Sequence, residues 1–254
     1  MTGRVAVVTG ASRGIGRGIA LAFAEAGADL VLASRTQADL DLVATEAEAL
    51  GVTAHAVALD ATDLDALRGL ADGAVERFGR IDVVVNNAGG TMPRPLLNTS
   101  SGFLERAFHF NVTTAFELTK ATTPELLKHE GCVLNISSAM GRLTDRGMLA
   151  YGTAKAALAH MTRLAANELA PRVRVNAIAV GAVATDALAT VTGDESLRNR
   201  MESLTPLRRI GSVEDIASAA LWLCSPAGSY VTGKVIEVDG GIEAPNLPLG
   251  IPDL

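Results

Sequence analysis

A tyrosine and a lysine stand four residues apart in this chain, as Tyr151-x3-Lys155, and Ser138 lies thirteen residues upstream of the tyrosine. Because residues four apart share one face of an α-helix, the Lys155 ammonium can sit beside the Tyr151 phenol and lower its pKa. The Ser138 hydroxyl can donate a hydrogen bond to a carbonyl or alcohol oxygen. A surface lysine, a core tyrosine and a loop serine are each common. Acting together, however, they suit proton transfer at such an oxygen.

A glycine-rich turn precedes these residues near the start of the chain. Residues 4–8 have the valine-rich pattern of a short buried strand, and residues 17–26 are helical in pattern up to Gly27. Glycines between the two allow a tight turn and close approach of backbone N–H groups to a pyrophosphate, which the helix N-terminus also favours. Tight strand–helix turns also need glycine for structure alone, and the spacing departs from Gly-x-Gly-x2-Gly. The strand-before, helix-after context nevertheless favours a nucleotide site at Thr9-Gly10-Ala11-Ser12-Arg13-Gly14-Ile15-Gly16.

Composition excludes several classes of function. The 254 residues are 48% hydrophobic and 20% charged with a net charge of −6, and no basic block suggests a nucleic-acid surface. The four histidines are scattered, and Cys132 and Cys224 lie far apart in apolar surroundings, so we expect no metal site and reduced core cysteines. No run approaches the ~18 apolar residues of a membrane span, and the first strand begins at once. We therefore expect a soluble, cytoplasmic protein.

Short strand patterns alternate with longer amphipathic helical patterns along the whole chain. This alternation predicts a doubly wound α/β fold, with a seven-stranded parallel sheet covered by helices on both faces. No linker divides the chain, so we predict a single domain over 1–254. Residues 182–212 form the least regular stretch and are predicted to be either a lid over the substrate or a plain surface excursion. Strands are predicted at 4–9, 29–33, 53–58, 82–86, 131–136, 173–179 and 234–238, and helices at 15–26, 37–50, 63–78, 101–128, 151–169 and 213–224.

These motifs, in this order, resemble the short-chain dehydrogenase/reductase family, in its shorter single-domain branch. The resemblance runs from about Gly3 to Gly241 and departs from the family at Val180, where a proline is usual. The loss of that proline concerns the stiffness of the loop beside the nicotinamide pocket rather than the chemistry. The motifs are the glycine-rich turn, Asn86-Asn87-Ala88-Gly89, Asn111, Ser138, Tyr151-x3-Lys155 and Asn176-Ala177-Ile178-Ala179-Val180-Gly181.

The resemblance implies a role for each residue of the catalytic group. Tyr151 would be the general acid in carbonyl reduction and the base in alcohol oxidation, and Ser138 would orient and polarise the substrate oxygen. Lys155 would lower the pKa of Tyr151 and bond the nicotinamide ribose. Asn111 would hold a water that relays protons to Lys155, although an asparagine here could simply cap or kink its helix.

The resemblance also implies a set of cofactor-binding positions outside the catalytic group. Asn87, Ala88 and Gly89 would line the adenosine ribose while also forming a structural turn. Asp60, followed by Ala61, would bond adenine, although an exposed strand-end aspartate is the ordinary alternative. The remaining positions follow the sixth strand and would contact the carboxamide and phosphates; they are Gly181, Val183 and Thr185.

The end of the second strand indicates which cofactor is used. An enzyme that uses NAD usually has an acidic residue there to hold the ribose 2′-hydroxyl. Ser34 fills that position here, and Arg35 together with Arg13 could hold a 2′-phosphate. We therefore expect NADP rather than NAD, the alternative being that Arg35 merely begins a polar loop.

Two classes of function follow. The first is an NADP-dependent reductase of ketones or dehydrogenase of secondary alcohols, acting on a small molecule or a 3-oxoacyl thioester and similar to 3-oxoacyl-carrier-protein and hydroxysteroid reductases. The second is a non-catalytic nucleotide-binding scaffold subunit on the same fold. The complete catalytic group favours the enzyme. The expected substrate lining is mostly apolar and comprises residues 90–97, 140–148 and 187–204.

Self-association is expected, as a homotetramer with helices 101–128 and 151–169 paired at one two-fold interface and helix 213–224 with the last strand at another. These helices carry more apolar residues than the core-facing side of each helix requires, although packing in the core explains several of them. They are Phe103, Phe108, Phe116, Leu158, Leu164, Leu221 and Trp222.

The C-terminal tail, residues 243–254, alternates apolar residues with prolines. Such a stiff strip is expected to be ordered by docking on protein surface, near the substrate mouth of a neighbouring subunit, with a frayed end as the alternative. The residues concerned are Ile242, Pro245, Leu247, Pro248, Leu249, Ile251, Pro252 and Leu254.

Overall fold

Seven parallel strands form one sheet at the centre of the structure, a computed structural model that describes residues 1–247 and 251. The strand order is β3-β2-β1-β4-β5-β6-β7, which confirms the predicted doubly wound α/β fold. The order reverses direction between β1 and β4, so a crevice opens beyond the carboxyl ends of these strands, where ligands of such folds bind. The strands are β1 Val5–Thr9, β2 Asp29–Ser34, β3 Ala54–Ala58, β4 Val83–Asn86, β5 Cys132–Ser138, β6 Arg174–Val180 and β7 Val235–Val238.

Helices cover both faces of the sheet because successive strand residues point to opposite sides. Ala6 and Val8 of β1 pack in the core that also contains residues of α1, α2 and α9. Val5 and Val7 pack in the opposite core, with residues of α3, α5 and α6. The helices are α1 Gly14–Glu25, α2 Gln37–Ala49, α3 Leu64–Phe78, α4 Ser101–Phe108, α5 Thr114–Lys128, α6 Leu149–Leu169, α7 Ala189–Thr192, α8 Glu195–Leu204 and α9 Val213–Cys224.

The helix predicted over 101–128 is not uniform. A π-helical turn, His109–Thr113, separates α4 from α5. Asn111 lies in this turn with its side chain buried, and its Nδ2 donates to the Ala107 carbonyl at 2.8 Å. The helical periodicity continues through the turn, so the sequence pattern does not reveal the extra residue. π-Helical turns are commonly found at functional sites.

The stretch predicted to be irregular, 182–212, contains two helices, α7 and α8. Asp194 caps α8, since its carboxylate accepts from the backbone N–H groups of Ser196 and Leu197. Met201 is the buried residue of α8. A helix with so little apolar surface has no strong periodic pattern, which is why the sequence prediction missed it.

The described part of the tail contacts its own chain. Asn246 is buried, and its Nδ2 donates to Thr205 Oγ1 at 2.9 Å, just after α8. Ile251 lies against Gly147, and its carbonyl accepts from Arg146 Nη1 at 3.3 Å. Among the tail residues named above, Pro248, Leu249, Pro252 and Leu254 lie outside the described residues.

Three features of the structure concern the cysteines, metal ligands and membrane spans considered in the sequence analysis. Cys132 and Cys224 meet in space although they are far apart in sequence, with Cys132 Sγ 3.8 Å from the Cys224 carbonyl oxygen. Within the described residues, no three His, Cys, Asp or Glu side chains are grouped as metal ligands. None of the helices in the described part of the chain has the length and apolar character needed to cross a membrane.

Candidate active site

Ser138, Tyr151 and Lys155 come together at the carboxyl end of β5. Ser138 is the last residue of that strand, and α6 begins early enough, at Leu149, to place Tyr151 and Lys155 on its inner face. The Ser138 side chain lies close enough to the Tyr151 phenol to lower its pKa, and its hydroxyl accepts from the Met140 N–H at 3.2 Å. Lys155 is buried, and its Nζ donates to the Ile136 carbonyl at 2.8 Å. The structure thus brings together the three residues singled out by type and spacing.

The electrostatics of this pair differ from the sequence expectation. Burial raises the pKa of Tyr151, and the hydrogen bond from Ser138 only partly counteracts this rise. Burial also lowers the pKa of Lys155, to about 8. Lys155 Nζ lies 5.8 Å from the centre of the Tyr151 ring. Without a bound cofactor, removal from water disfavours the charged form of both groups, so the pKa of Tyr151 is raised overall, and its lowering by Lys155 stays a prediction.

Asn111 lies close to Lys155, with Gly89 between them. Asn111 Oδ1 accepts from the Gly90 N–H at 2.9 Å, and Nδ2 donates to the Gly90 carbonyl at 3.1 Å. A Cβ on Gly89 would lie 2.8 Å from Asn111 Oδ1 and 3.2 Å from Lys155 Nζ. Only glycine fits here without displacing one of the two polar groups. The structural and the functional interpretation of Asn111 are therefore compatible, since the π-helical turn directs its side chain to this position.

The glycine-rich turn after β1 is shaped by close backbone contacts. A Cβ on Gly16 would meet the Gly10 carbonyl oxygen at 2.2 Å, so α1 can pack this close to the turn only with glycine there. Asn87 Nδ2 donates to the carbonyls of Thr9 and Gly10, at 3.0 and 3.1 Å. The Ala88 N–H donates to Thr9 Oγ1 at 3.1 Å. The turn after β4 thus holds the turn after β1 in place. Ser12 and Ile15 are half-buried at the start of α1.

The end of β2 offers a polar group that the protein itself does not use. Ser34 Oγ is buried and lacks a hydrogen-bond partner within the described residues. Arg35 is exposed. Asp60 accepts from the backbone N–H and the hydroxyl of Thr62, at 2.9 and 2.8 Å. These bonds, with a smaller contribution from the charge of Arg35, lower the pKa of Asp60.

Arg13 and the residues after β6 face each other across the crevice. Arg13 forms an exposed ion pair with Asp186 at 3.6 Å. Thr185 Cγ2 would lie 3.4 Å from a Cβ on Gly14. Val183 is buried and pairs with Gly211. The remaining predicted positions are also in this region, since Gly181 follows β6 and Ala61 lines a small cavity with Thr9 and Ala88.

The residues along the crevice fit a dinucleotide. Close approach at Gly10, Gly16 and Gly89 depends on the missing Cβ, the N-terminus of α1 favours a phosphate, and the unpaired Ser34 hydroxyl lies where a ribose would reach the end of β2. A nicotinamide dinucleotide would lie along the turns after β1, β2, β4 and β6.

A cavity of about 800 Å³ lies beside the turn that follows Ser138. Four α6 residues line it, on a different face of the helix from Tyr151 and Lys155; they are Leu149, Gly152, Thr153 and Ala156. Part of the predicted substrate lining borders it, namely Pro95, Leu96 and residues 140–148, together with Ile251. No residue of 187–204 is among those that line this cavity, so that part of the predicted substrate lining lies elsewhere.

Comparisons with known proteins agree with this geometry. The family model described as Enoyl-(Acyl carrier protein) reductase matches residues 10–243. An uncharacterized oxidoreductase of Mycobacterium tuberculosis (strain CDC 1551 / Oshkosh) is 58% identical over 253 residues, covering 99% of this chain and 96% of the relative. The 7alpha-hydroxysteroid dehydrogenase of Escherichia coli (strain K12) is 40% identical over 243 residues, covering 95% and 94%. The 3-oxoacyl-[acyl-carrier-protein] reductase of Thermotoga maritima is 36% identical over 244 residues, covering 95% and 98%.

Solved structures give the same result. A 7 alpha-hydroxysteroid dehydrogenase complexed with NADH and 7-oxo glycochenodeoxycholic acid superposes with a TM-score of 0.90 at 40% identity, covering 94% of each chain. Fold, site and relatives define an oxidoreductase that binds a nicotinamide cofactor. The chain belongs to the short-chain dehydrogenase/reductase family. The enzyme is therefore favoured over the scaffold subunit considered above.

Sequence reasoning missed a group of residues that connects the loops of the site. Arg142 makes ion pairs with Glu237, Asp239 and Glu243, from β7 and the segment after it. Asp239 packs against Gly181. Nothing in the spacing of these residues indicates that they meet, because about a hundred positions separate Arg142 from its partners in the sequence.

Proposed function

We propose that this protein transfers a hydride between NADPH and a ketone or secondary alcohol, with Tyr151 as the general acid and base. The observation that carries the proposal is the convergence of half-buried Ser138 and Tyr151 with buried Lys155 at the carboxyl edge of a sheet that fits a dinucleotide. When bound, the nicotinamide supplies or accepts the hydride. Asn111, Ser138, Tyr151 and Lys155 handle the oxygen and its proton.

Ser138, Tyr151 and Lys155 each have a defined part in reduction. Met140 N–H donates to Ser138 Oγ and fixes the hydroxyl, whose hydrogen can turn from Tyr151 to the substrate oxygen when a ketone binds. A donor of this kind contributes ~10²- to 10³-fold to the rate where negative charge develops. The raised pKa of Tyr151 keeps its phenol protonated at neutral pH, so it can give the proton that turns the developing alkoxide into an alcohol. Lys155, held by the Ile136 carbonyl, then favours the phenolate that remains.

Preference for NADP over NAD is the second part of the proposal. Its support is the absence of a carboxylate at the end of β2, where Ser34 is followed by exposed Arg35. An arginine fork suits a phosphate dianion, and Arg13 can contribute once it leaves its exposed, weak pair with Asp186. The solved relative described above contains NADH, so the residues at this strand end, rather than the fold, have to decide the preference.

The proposed substrates are ketones with an apolar body, including steroids and 3-oxoacyl thioesters. Two relatives are named for these substrates. The loop after β4 exposes Met92, Leu96 and Leu97 beside the site, which favours apolar substrates over small polar ones. The test measures NADPH oxidation with steroid ketones, 3-oxoacyl thioesters and short polar ketones. Turnover of an apolar ketone is expected, and turnover confined to short polar ketones would contradict the proposed class.

Assembly and location complete the proposal. We propose a homotetramer of single-domain chains, because apolar side chains remain exposed on the helices predicted to pair; they are Phe108, Phe116 and Leu164, with Trp222 on α9. Leu158 does not contribute, since it is 1% exposed and belongs to the core. The buried free thiols of Cys132 and Cys224 suit a reducing compartment, so we place the enzyme in the cytoplasm.

A further inference from the structure

Arg142, four residues after Ser138, is tied to the far end of the chain. Its guanidinium contacts Glu237 Oε1 at 2.9 Å, Asp239 Oδ2 at 3.1 Å and Glu243 Oε2 at 3.0 Å, and it donates to the Ile242 carbonyl at 2.5 Å. One side chain from the loop after β5 thus gathers four acceptors from β7 and the segment that follows. Arg68, by comparison, pairs with two carboxylates, Asp65 and Glu117.

The three carboxylates differ in how much they can contribute. The Asp239 side chain is 4% exposed, whereas the Glu243 side chain is 84% exposed. Water screens an exposed pair and the ordering of long side chains opposes it, so Glu243 contributes little. Loss of one partner from a buried pair leaves a desolvated charge uncompensated. The pair of Arg142 with Asp239 is therefore the one on which the geometry depends.

Asp239 connects Arg142 to the loop after β6. A Cβ on Gly181 would meet Asp239 Cα at 2.6 Å, so the backbone at Gly181 lies directly against Asp239. The second carboxylate oxygen, Oδ1, accepts from the Gly241 N–H at 2.9 Å and fixes the turn. The Gly240 carbonyl accepts from the Leu207 N–H at 3.1 Å, just beyond α8. This turn, residues 239–241, therefore touches both the loop after β6 and the segment that follows α8.

Arg142 also restrains the catalytic side. Its backbone N–H donates to the Ala139 carbonyl at 3.0 Å, which closes the short turn after Ser138. A Cβ on Gly141 would lie 3.1 Å from the Lys155 carbonyl carbon, so this turn packs directly against α6. Movement of Arg142 would shift the turn that supports Ser138 through the Met140 N–H.

We propose that Arg142 is a positioning residue that acts through Asp239 to hold the Ser138 turn and the Gly181 loop in register. This proposal deepens the function proposed above and rests on it, since Ser138 would contact the substrate oxygen and Gly181 would lie beside the nicotinamide. The Arg142–Asp239 pair thus connects the turn that carries Ser138 with the loop at Gly181. Misplacement of reacting groups by ~1 Å can cost ~10²-fold in rate, so a pair outside the catalytic group can control turnover.

The experiment compares two ion pairs of the same kind. Arg80 and Asp82 also join a partly exposed arginine to a carboxylate that is 2% exposed, but they lie at the opposite, amino edge of the sheet. Arg142→Ala, Asp239→Asn and Arg80→Ala are each measured for melting temperature and for kcat and KM with NADPH and an apolar ketone. Glu243→Gln tests the contribution of the exposed partner. Arg142→Lys tests whether a positive charge without the planar guanidinium restores part of the activity.

Arg142→Ala and Asp239→Asn are each expected to lower kcat/KM at least about tenfold. A double variant that combines Arg142→Ala with Asp239→Asn is expected to have a kcat/KM no lower than that of either single variant. Arg142→Lys should recover part of the loss, and Glu243→Gln should stay within about twofold of the unmodified enzyme. Arg80→Ala should lower the melting temperature without changing the kinetics. Unchanged kinetics in Arg142→Ala, or an equal kinetic loss in Arg80→Ala, would overturn the proposal.

A second measurement separates this proposal from the function on which it rests. If the unmodified protein reduces no ketone with either cofactor, the proposed function fails, and hydrogen exchange of the free protein decides about Arg142. Arg142→Ala should then speed exchange in residues 139–149 and 181–185 together, while Arg80→Ala should not. Faster exchange in only one of the two loops, or in neither, would refute the link between them.

Discussion

At the scale of single residues, burial is the dominant influence on the candidate catalytic pair. It raises the pKa of Tyr151 and lowers that of Lys155 to about 8, so both groups tend toward their neutral forms. A neutral phenol is a proton donor, which suits ketone reduction at neutral pH. Oxidation of an alcohol requires the phenolate, so we expect its rate to increase with pH well above neutrality.

The buried lysine also makes stability depend on pH. The pKa of Lys155 is lower in the folded protein than the unfolded value of 10.5, so the unfolded chain binds more protons between about pH 8 and 10.5. Stability should therefore rise with pH in this window, by about 2 kcal/mol between about pH 7 and 9.5. Urea unfolding of the unmodified protein and Lys155→Met measures the effect as the difference between their pH dependences. Parallel curves for the two proteins would show that the pKa of Lys155 is the same in the folded and the unfolded chain.

Arg35 carries the prediction about the cofactor. Arg35→Ala should raise the KM for NADPH about tenfold or more and change the KM for NADH little, because the lost interaction is with the 2′-phosphate alone. The measurement is kcat/KM for both cofactors with one working ketone. Arg17→Ala is the control. Arg17 lies on α1, and its ion pair, at 2.5 Å, is with Glu46 of α2 rather than with a residue at the end of β2. If kcat/KM of the unmodified enzyme is equal for the two cofactors, or higher for NADH, the predicted preference for NADP is wrong.

At the scale of elements, the regular strands and long helices could be predicted because valine-rich runs and amphipathic periods mark them directly. The π-helical turn at Asn111 could not, since the periodicity of 101–128 continues through it. The helix α8 was missed because it buries little apolar surface. Ser138, Tyr151 and Lys155 were found from type and spacing, whereas Arg142 and Asp239 form a tertiary pair with no local signal.

The glycine-rich turn provides a matched pair of substitutions. A Cβ on Gly16 would lie 2.2 Å from a backbone carbonyl oxygen, whereas a Cβ on Gly73, inside α3, would meet nothing within 4 Å. Gly16→Ala should disturb the turn, lower the melting temperature and abolish NADPH binding. Gly73→Ala should stabilise the protein by about 0.5–1 kcal/mol and leave binding unchanged. Calorimetry and titration of NADPH fluorescence provide the two readouts, and normal binding by Gly16→Ala would contradict a phosphate site at this turn.

At the scale of the whole molecule, exposed apolar side chains favour self-association. Phe116 is 49% exposed and Leu164 is 54% exposed, on two of the helices proposed to pair. Light scattering at micromolar concentration should give the mass of a tetramer. Phe116→Glu combined with Leu164→Glu should give a smaller species, because a buried interface cannot easily hold unpaired carboxylates. Leu42→Glu, at a residue that is 65% exposed on α2, is the control and should leave the mass unchanged. A monomer mass for the unmodified protein would refute the tetramer.

The central claim is that Tyr151 transfers the proton when this oxidoreductase reduces a ketone. The most direct measurement is single-turnover oxidation of bound NADPH by an apolar ketone, comparing the unmodified enzyme with Tyr151→Phe. Because the substitution removes only the phenolic oxygen, we predict unchanged NADPH binding and a rate lower by about 10²- to 10⁴-fold. Equal single-turnover rates for the two proteins would contradict the account.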